Sequence, residues 1–402
     1  MKKLALVLAI ALIAAFSAPA FAGEFTLNGT YRMTAVNTDT GVTGTDADEA
    51  KNFQQRFRLP FAWKVNDNVS AYMRTDWTEQ NTTGGSIGWG NGNALGASDS
   101  IQIDYAWVKI SQPVFDLIVG AQEVMLANWS VLDIDQEGFT LNLKFNPVLV
   151  TLAYGKLSED SSKRDDGDNA DADSYAAQVQ YSGQGFNVGA FYAKAVDSEP
   201  AFDDEKIGYG LYINGTMGAW GYKAELDIFD GEQNATTDYA GMNLWADVSY
   251  KVSDVLTLGL AGYYGDGNND ATETQLSSVS STGYSFQIWD YDFNSALMID
   301  EFPQLSGDNF DMATDAGLQA IKGYVRFKAT PEITLYGMLG YATPEENVNL
   351  DSKTYAVGSV DYAWMPNVVV SVGAAYIEPD YASTATIDEA CIQYMARLGV
   401  TF

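Results

Sequence analysis

The sequence contains no histidine, a single cysteine, and 22 lysines and arginines against 53 aspartates and glutamates. Without histidine, Ser-His-Asp hydrolysis, histidine acid–base catalysis and most zinc sites are excluded. The lone thiol of Cys391 cannot form an internal disulfide. A net charge of −31 argues against nucleic acid as a partner. No enzymatic activity is therefore expected.

Long apolar runs are also missing after residue 22, so the roughly 18 residues that a membrane-spanning helix needs are not found. The N-terminus has Lys2 and Lys3, an apolar run over 4–16, and Ala20-Phe21-Ala22 before Gly23. This pattern predicts a cleaved signal peptide over residues 1–22. An uncleaved anchor is the alternative, but the run is short for about 30 Å of hydrocarbon. No linker divides residues 23–402, which predicts one exported domain.

Apolar residues recur at every second position along most of the chain, which is the period of a β-strand. Near the start, Phe25, Leu27, Tyr31 and Met33 alternate with polar residues, and Thr30 and Arg32 are among these. Further clear cases are 53–65, 69–77, 139–145, 148–154, 175–181, 186–192, 207–213, 220–228, 242–250, 256–264, 321–327, 333–341, 368–376 and 392–402. The alternation is less regular near 101–110, 114–121 and 355–364, which predicts bulges there.

The connections between these segments alternate between short and long. Short ones have turn compositions, as at Asn66-Asp67-Asn68 and Met365-Pro366-Asn367. Long polar ones are predicted at 37–51, 80–99, 122–137, 158–173, 197–206, 230–238, 266–316, 343–353 and 379–389. Short turns at one rim and long loops at the other are typical of outer-membrane barrels.

Together these patterns predict an all-β fold, a transmembrane antiparallel β-barrel of about 18 strands, with 16 as the alternative. Closure satisfies every strand edge in hydrocarbon, and a barrel of either size leaves an aqueous lumen. A secreted β-sandwich also has alternating strands. However, rings lie towards the segment ends, as aromatic girdles require: Trp63, Trp77, Phe145, Tyr181, Trp220, Tyr250, Tyr341 and Trp364.

The C-terminal segment has Tyr394, Leu398, Val400 and a terminal Phe402 at alternate positions. It resembles the assembly signal of outer-membrane proteins, and the whole pattern of strands and loops resembles that of trimeric Gram-negative porins. The resemblance implies location in the outer membrane of a Gram-negative bacterium, contact with its lipid and lipopolysaccharide, insertion by the barrel assembly machinery, and a homotrimer.

Five arginines occupy predicted inward positions on the first three strands and the last, which closure makes neighbours. They are Arg32, Arg56, Arg58, Arg74 and Arg397. The hypothesis is a basic wall at the pore constriction. The alternative is that some of these arginines pair locally with Asp76 or with loops, or lie at different heights.

The connection 122–137 carries Glu123, Asp133, Asp135 and Glu137. In the porins that this chain resembles, the third loop folds into the barrel and its acidic residues face an arginine wall. The resemblance therefore implies an acidic constriction loop here, and a plain surface loop is the alternative.

These expectations predict a water-filled porin for passive diffusion of small hydrophilic solutes and ions. Loss of Lys2 and Lys3 changes the net charge from −31 to −33, and acidic outer loops favour cations, so weak cation selectivity that fades with salt is predicted. No cofactor is expected, apart from Ca²⁺ or Mg²⁺ held loosely by those loops.

Two further functions remain open. One is a substrate-specific porin for a sugar, phosphate or organic anion, with inward rings lining its path: Tyr72, Tyr212, Phe229, Trp245 and Tyr336. The structural alternative for these rings is packing against folded loops. The other function is that of a structural or adhesive barrel, with the loop 266–316 as a plug.

Overall fold

The computed structural model describes residues 23–39, 49–77, 101–128, 133–158, 172–199, 202–267, 273–276, 317–345, 350–381 and 390–402. The predicted signal peptide lies outside these residues. The strands are β1 (Glu24–Leu27), β2 (Thr30–Asp39), β3 (Glu49–Asn66), β4 (Val69–Trp77), β5 (Ile101–Gln112), β6 (Phe115–Met125), β7 (Asp133–Phe145), β8 (Val148–Ser158), β9 (Ala172–Gly183), β10 (Phe186–Glu199), β11 (Phe202–Met217), β12 (Trp220–Asn234), β13 (Thr237–Lys251), β14 (Leu256–Gly265), β15 (Glu273–Gln275), β16 (Leu318–Lys328), β17 (Ile333–Thr343), β18 (Leu350–Met365), β19 (Val368–Tyr381) and β20 (Cys391–Thr401).

Eighteen of these strands form one closed antiparallel barrel, as the sequence predicted. Each pairs with the next along the chain from β2 to β14, β14 pairs with β16, and β20 returns to pair with β2. The short β1 pairs with β3 and precedes β2 at the short-turn end of that strand. The short β15 lies parallel to β13 beyond the end of β14. In the described ranges no helix is long and apolar enough to cross a membrane.

The barrel closes where the C-terminus meets the break between β1 and β2. Gly29 and Phe402 exchange backbone hydrogen bonds of 2.7 and 2.9 Å. A Cβ on Gly29 would lie 2.2 Å from the Phe402 ring, so a larger residue at position 29 would displace this ring. The ring also stacks on Phe57 of β3, with centroids 5.7 Å apart. The terminal aromatic is thus part of the seam between the first and last strands.

The outer face of the barrel is apolar, and its rings lie towards the strand ends. The predicted girdle residues Phe145, Trp220 and Trp364 have roughly half of their surface exposed. Tyr181, Tyr250 and Tyr341 are exposed to a similar extent, whereas nothing is described of the Trp77 side chain. This distribution agrees with a lipid-facing band bounded by aromatic residues at both interfaces.

The eight short connections lie where the sequence placed them, for example between β7 and β8 and between β18 and β19. In two of them a lysine pairs with an aspartate three residues on: Lys64 with Asp67, and Lys251 with Asp254. These hydrogen-bonded lysines lower the pKa of both exposed aspartates.

The predicted irregularities in two of the segments are confirmed. The β4–β5 register shifts between Arg74 and Thr75, opposite Asp104, and the β18–β19 register shifts near Ala363. At the first of these bulges the alternation of β5 changes phase. Ile103 is therefore exposed on the outer face while Tyr105 is buried in the interior.

Two predicted long loops are instead strand extensions. The segment predicted as a loop over 197–206 belongs largely to β10 and β11, which pair up to Glu199 and Phe202. The segment predicted as a loop over 230–238 belongs to β12 and β13, which pair up to Asn234 and Thr237. Polar composition is typical of a loop, but charged residues form β-ladder pairs as well as others do once the strands leave the hydrocarbon.

Candidate functional site

The five predicted wall arginines lie on adjoining strands, in the order β20, β2, β3 and β4. The register places Arg397 opposite Thr34, and Arg32 opposite the backbone of Arg56. Arg58 lies opposite Asp76, and Arg74 opposite Tyr105. The alternation thus directs Arg32, Arg58, Arg74 and Arg397 into the lumen; the side chain of Arg56 is outside the described part.

Two of these arginines are held by carboxylates on the same wall. Arg58 Nε donates to both oxygens of Asp76, at 2.7 and 2.9 Å. Arg74 pairs with Asp104, the extra residue of the β5 bulge, and its guanidinium lies 3.9 Å above the Tyr105 ring. Arg32 and Arg397 have interaction partners as well. The local pairing that the sequence had left open is therefore present at Arg58, and Asp104 adds a partner that the sequence analysis missed.

Further cationic side chains lie on the strands that follow β4, nearer the rim with the short turns. Lys144 of β7 and Lys109 of β5 both pair with Asp116 of β6, at 2.6 and 3.2 Å. Over the described inner faces of β20 and β1–β7, the cationic side chains outnumber the carboxylates. The cations are Arg32, Arg58, Lys64, Arg74, Lys109, Lys144 and Arg397, and the carboxylates are Glu24, Asp76, Asp104 and Asp116 together with Asp67, the turn residue that pairs with Lys64. We call this region the basic sector.

The predicted acidic loop needs correction, because β6 and β7 extend into it. Glu123 lies in β6, and Asp133, Asp135 and Glu137 lie in β7, with Glu123 opposite Asp135 in the register. Glu123 and Glu137 are exposed, whereas their neighbours Gln122, Val124 and Gln136 are buried. Both glutamates therefore share the outer face with Val119 and Phe139. The ladder, which has a period of two, turns the Glu123 and Glu137 carboxylates away from the lumen, while the side chains of Asp133 and Asp135 are outside the described part.

The short segment between β6 and β7 does enter the barrel, with different residues. Leu126 is fully buried. The backbone N–H of Ala127 donates to Gln178 of β9 at 2.6 Å. The backbone N–H of Asn128 donates to Glu225 of β12 at 2.8 Å. Residues 126–128 thus cross to the inner faces of strands three to six positions further round the ring.

Asn128 makes two further contacts with its amide group. Its Nδ2 donates to the carbonyl oxygen of Ala224 at 3.3 Å, and its Oδ1 accepts from Nδ2 of Asn214 at 2.8 Å. Ala127 has a φ of 54°, a left-handed conformation that is unfavourable for a residue with a Cβ. Three hydrogen bonds on one asparagine hold this turn to the β11–β12 wall. Nothing in the sequence distinguishes Asn128 from other loop asparagines.

The wall behind this turn carries buried carboxylates opposite the basic sector. β12 lies nine positions from β3, which is half of the 18-strand ring. Arg58 is eight residues from the short-turn end of β3, while Glu225 and Asp227 are five and seven residues from that of β12. The heights therefore agree to within roughly 10 Å of strand length. Both carboxylates are almost fully buried, so the accessible charge at this level comes from the basic sector.

The inward rings divide into two groups. Tyr212 and Phe229 pack in a buried cluster that includes Leu126, as the structural alternative expected. Trp245 and Tyr336 are also buried. Tyr72 instead stacks on Trp107 of β5, with centroids 5.1 Å apart and planes inclined by 20°. This pair lies on the basic sector beside Arg74, so only this part of the predicted aromatic path adjoins the arginines.

Replacing Asn128 with alanine should loosen the turn that narrows the lumen. The change removes two hydrogen bonds worth about 1 kcal/mol each, so the detached population should rise roughly thirtyfold. Single-channel recordings should show higher mean conductance and more frequent fluctuations than the wild type. Asn142→Ala is the matched control, because this inward amide bonds Thr151 and not the turn. Equal conductance in both variants would show that the turn does not limit the pore.

Comparison with known proteins agrees with this architecture. The model of a family described as Gram-negative porin matches residues 9–287. The fold is similar to OccK9 (OpdG) of Pseudomonas aeruginosa, with a TM-score of 0.61 and 14% identity over 94% of this chain and 98% of that chain. OpdK of the same organism, solved with vanillate, has a TM-score of 0.59 and 12% identity over 94% and 98%. OccAB3 of Acinetobacter baumannii has a TM-score of 0.58 and 11% identity over 94% and 99%.

Among proteins with curated descriptions, none matches this sequence. The structural likenesses have low identity, so they support the fold and not a particular solute. Within the residues that the structure describes, no three acidic or thiol groups are arranged to hold a metal ion.

Proposed function

Because the chain belongs to the Gram-negative porin family and forms an outer-membrane channel, we propose that it admits small hydrophilic solutes by passive diffusion and favours anions at its narrow level. Porins are channels and not enzymes. The observation that carries the anion preference is the excess of cations over carboxylates in the basic sector.

The sequence predicted weak cation selectivity of the whole channel, with the acidic residues of 122–137 offsetting the arginines at the constriction, whereas this proposal gives the constriction a net preference for anions. Cation selectivity required acidic side chains of 122–137 to face the arginines, and Glu123 and Glu137 lie on the outer face instead. The two pairs at Arg58 and Arg74 offset part of the positive charge. The remaining cations still attract permeating anions, since charges in a narrow, partly buried lumen are weakly screened.

The acidic outer loops favour cations, which opposes the anion preference of the basic sector. The mature chain is expected to carry a net charge of −33, and much of that charge lies in the predicted long loops. Their field is felt over about 30 Å at 0.01 M salt but only about 3 Å at 1 M. We therefore expect cation preference at low salt, set by the mouth, which gives way to anion preference as salt screens the mouth.

Reversal potentials in a planar bilayer, measured over a salt series, test this proposal. The expected result is a change of sign from cation to anion preference as the mean salt concentration rises. Cation preference that only decays to zero would support the weakly cation-selective porin and contradict the basic sector's role.

A second candidate function is a channel specific for aromatic carboxylates. The Tyr72–Trp107 stack and the Arg74–Tyr105 contact place flat rings beside a guanidinium on one wall. Such a wall is able to stack a ring and bind its carboxylate. OpdK, which shares this fold, was solved with vanillate.

Block of conductance by vanillate distinguishes the two candidates. A specific channel should show saturable block that weakens in Trp107→Ala, since this change removes the stacking surface. Benzyl alcohol is the control probe, because it has a ring and no carboxylate. A general-diffusion channel should instead show conductance that falls in proportion to vanillate concentration and is unaffected by Trp107→Ala.

A further inference from the structure

Three asparagine side chains form a continuous line of hydrogen bonds that ends at residues 126–128, which we call the constriction turn. Asn187 of β10 lies opposite Asn214 of β11 in the register, and its Nδ2 donates to Oδ1 of Asn214 at 3.0 Å. Nδ2 of Asn214 donates in turn to Oδ1 of Asn128 at 2.8 Å. Nδ2 of Asn128 donates to the carbonyl oxygen of Ala224 at 3.3 Å. We call these three side chains the amide relay.

The direction of the amide relay is fixed at one end. A side-chain amide has a donor nitrogen on one side and an acceptor oxygen on the other, so turning it over exchanges the two. The carbonyl oxygen of Ala224 can only accept, so Asn128 must present Nδ2 to it and Oδ1 to Asn214. Asn214 must then present Nδ2 to Asn128 and Oδ1 to Asn187. A single orientation of the three amides therefore satisfies all of these bonds.

A tyrosine ring beside the relay limits the replacement of these bonds by water. Tyr212 and Gly189 are the inward pair next to Asn214 and Asn187 in the β10–β11 register. A Cβ on Gly189 would lie 2.5 Å from the Tyr212 ring, so this ring lies across β10. Its hydroxyl donates to Oε1 of Gln180 on β9 at 2.8 Å, and the tyrosine is buried. Where water has little access, a donor that is lost from a bond is costly to replace.

The constriction turn depends on the Asn128 amide because its backbone conformation is unfavourable. Ala127 has a left-handed φ of 54°, which a residue with a Cβ adopts only when its surroundings hold it there. Two of the four hydrogen bonds described for Ala127 and Asn128 are made by the Asn128 side chain. The orientation of this amide therefore decides whether half of these bonds form.

We propose that Asn187 and Asn214 are positioning residues of the channel, which hold the constriction turn in place by fixing the orientation of the Asn128 amide. Asn187 is the second residue of β10, at the short-turn end of the strand. The relay thus makes the turn sensitive to a residue near the opposite rim from the long loops. The proposal rests on the channel function proposed above, but not on the sign of its ion selectivity.

The first test reverses the polarity of the relay at Asn187. In Asn187→Asp the carboxylate only accepts at neutral pH, so it either faces Oδ1 of Asn214 or forces all the amides to turn over. In the second case Oδ1 of Asn128 faces the carbonyl oxygen of Ala224. Both arrangements contain one contact between two acceptors, so the detached population of the turn should rise about tenfold. Single-channel recordings should show higher mean conductance and more frequent fluctuations than the wild type.

Asn187→Ala is the matched control for this variant. It removes the side chain without introducing an acceptor, and the Ala224 carbonyl still fixes the orientation of the Asn128 and Asn214 amides. Its conductance and fluctuations should therefore stay close to those of the wild type. An ordinary bond between two strands would be lost in both variants, so an equal effect of Asn187→Ala and Asn187→Asp would overturn the relay.

The second test measures the coupling between positions 187 and 128 with a double-mutant cycle. In an Asn128→Ala background the relay no longer reaches the turn, so Asn187→Asp should not raise the fluctuation frequency further. A direct influence of the added negative charge on ion flow would persist in both backgrounds, so the cycle separates it from the relay. An equal effect of Asn187→Asp on the fluctuations in both backgrounds would contradict the proposal.

Asn214→Leu tests the middle of the relay without adding charge. It removes both amide bonds of position 214, so it should raise the fluctuation frequency as Asn128→Ala does, and it should have no further effect in that background. Circular dichroism and heat-modifiable migration show whether each barrel is folded. A folded Asn214→Leu channel with wild-type fluctuations would refute the relay and leave the channel function intact, whereas a wild type without conductance would refute the channel function itself.

Discussion

Replacing Arg58 and Arg74 with glutamine should abolish the anion preference at 1 M salt, because the basic sector then has five cations and five carboxylates. At a separation near 4 Å, one charge in water contributes about 1 kcal/mol, so each lost guanidinium should change the permeability ratio roughly fivefold. The effect should persist at high salt because both side chains are less than one-third exposed. The measurement is the reversal potential of single channels across a salt gradient.

The control for this variant is Arg58→Lys combined with Arg74→Lys. Lysine keeps the charge but loses the two-oxygen contact that Arg58 makes with Asp76. If charge sets the selectivity, the lysine variant should match the wild type. Glu137→Gln provides a second control, since this outward carboxylate should not influence the lumen. A glutamine variant as anion-selective as the wild type would refute the role of the basic sector.

Replacing Phe402 with serine should reduce the amount of inserted barrel about tenfold or more. The ring occupies the notch at Gly29 and stacks on Phe57, so the change removes contacts at the seam where the last strand meets the first. Full burial of a Phe side chain contributes about 1.5–3 kcal/mol, and Phe402 is about half buried, so the lost contacts cost roughly half of that. The resemblance to an assembly signal implies a second loss, because the insertion machinery would no longer recognise the terminus. Heat-modifiable migration of outer-membrane fractions measures the inserted amount.

Phe145→Ser is the matched control for this second prediction. Phe145 is also an exposed rim aromatic, 59% exposed against 54% for Phe402, but it lies in the middle of the chain. Its replacement should leave insertion nearly unchanged. Equal loss in both variants would mean that any rim aromatic matters, and equal abundance of both would reject the terminal seam as an assembly determinant.

Much of the fold follows from the sequence because its signals are local. A strand directs successive side chains to opposite faces, so alternation from Phe25 to Phe402 determines which residues face lipid. Turn residues such as Asn66-Asp67-Asn68 mark the hairpins, and the irregular segment 101–110 marks the β5 bulge. Closure follows because an open sheet edge in hydrocarbon would leave its backbone N–H and C=O groups without hydrogen-bond partners. The lipid-facing girdles needed no tertiary information, whereas the choice between 18 strands and the alternative of 16 was made by the structure.

The interior was decided by tertiary structure, for two physical reasons. The first is that one residue of register reverses a side chain, so Glu123 and Glu137 lie outside while Gln122 and Gln136 lie inside. The second is that contacts inside the barrel, within one wall or across the lumen, join residues far apart in sequence. Asn128 meets Glu225 and Asn214, and Arg74 meets Asp104, only because ring order and bulge position bring these strands together. Amino-acid composition does not predict these contacts, and the distribution of charge in the channel depends on them.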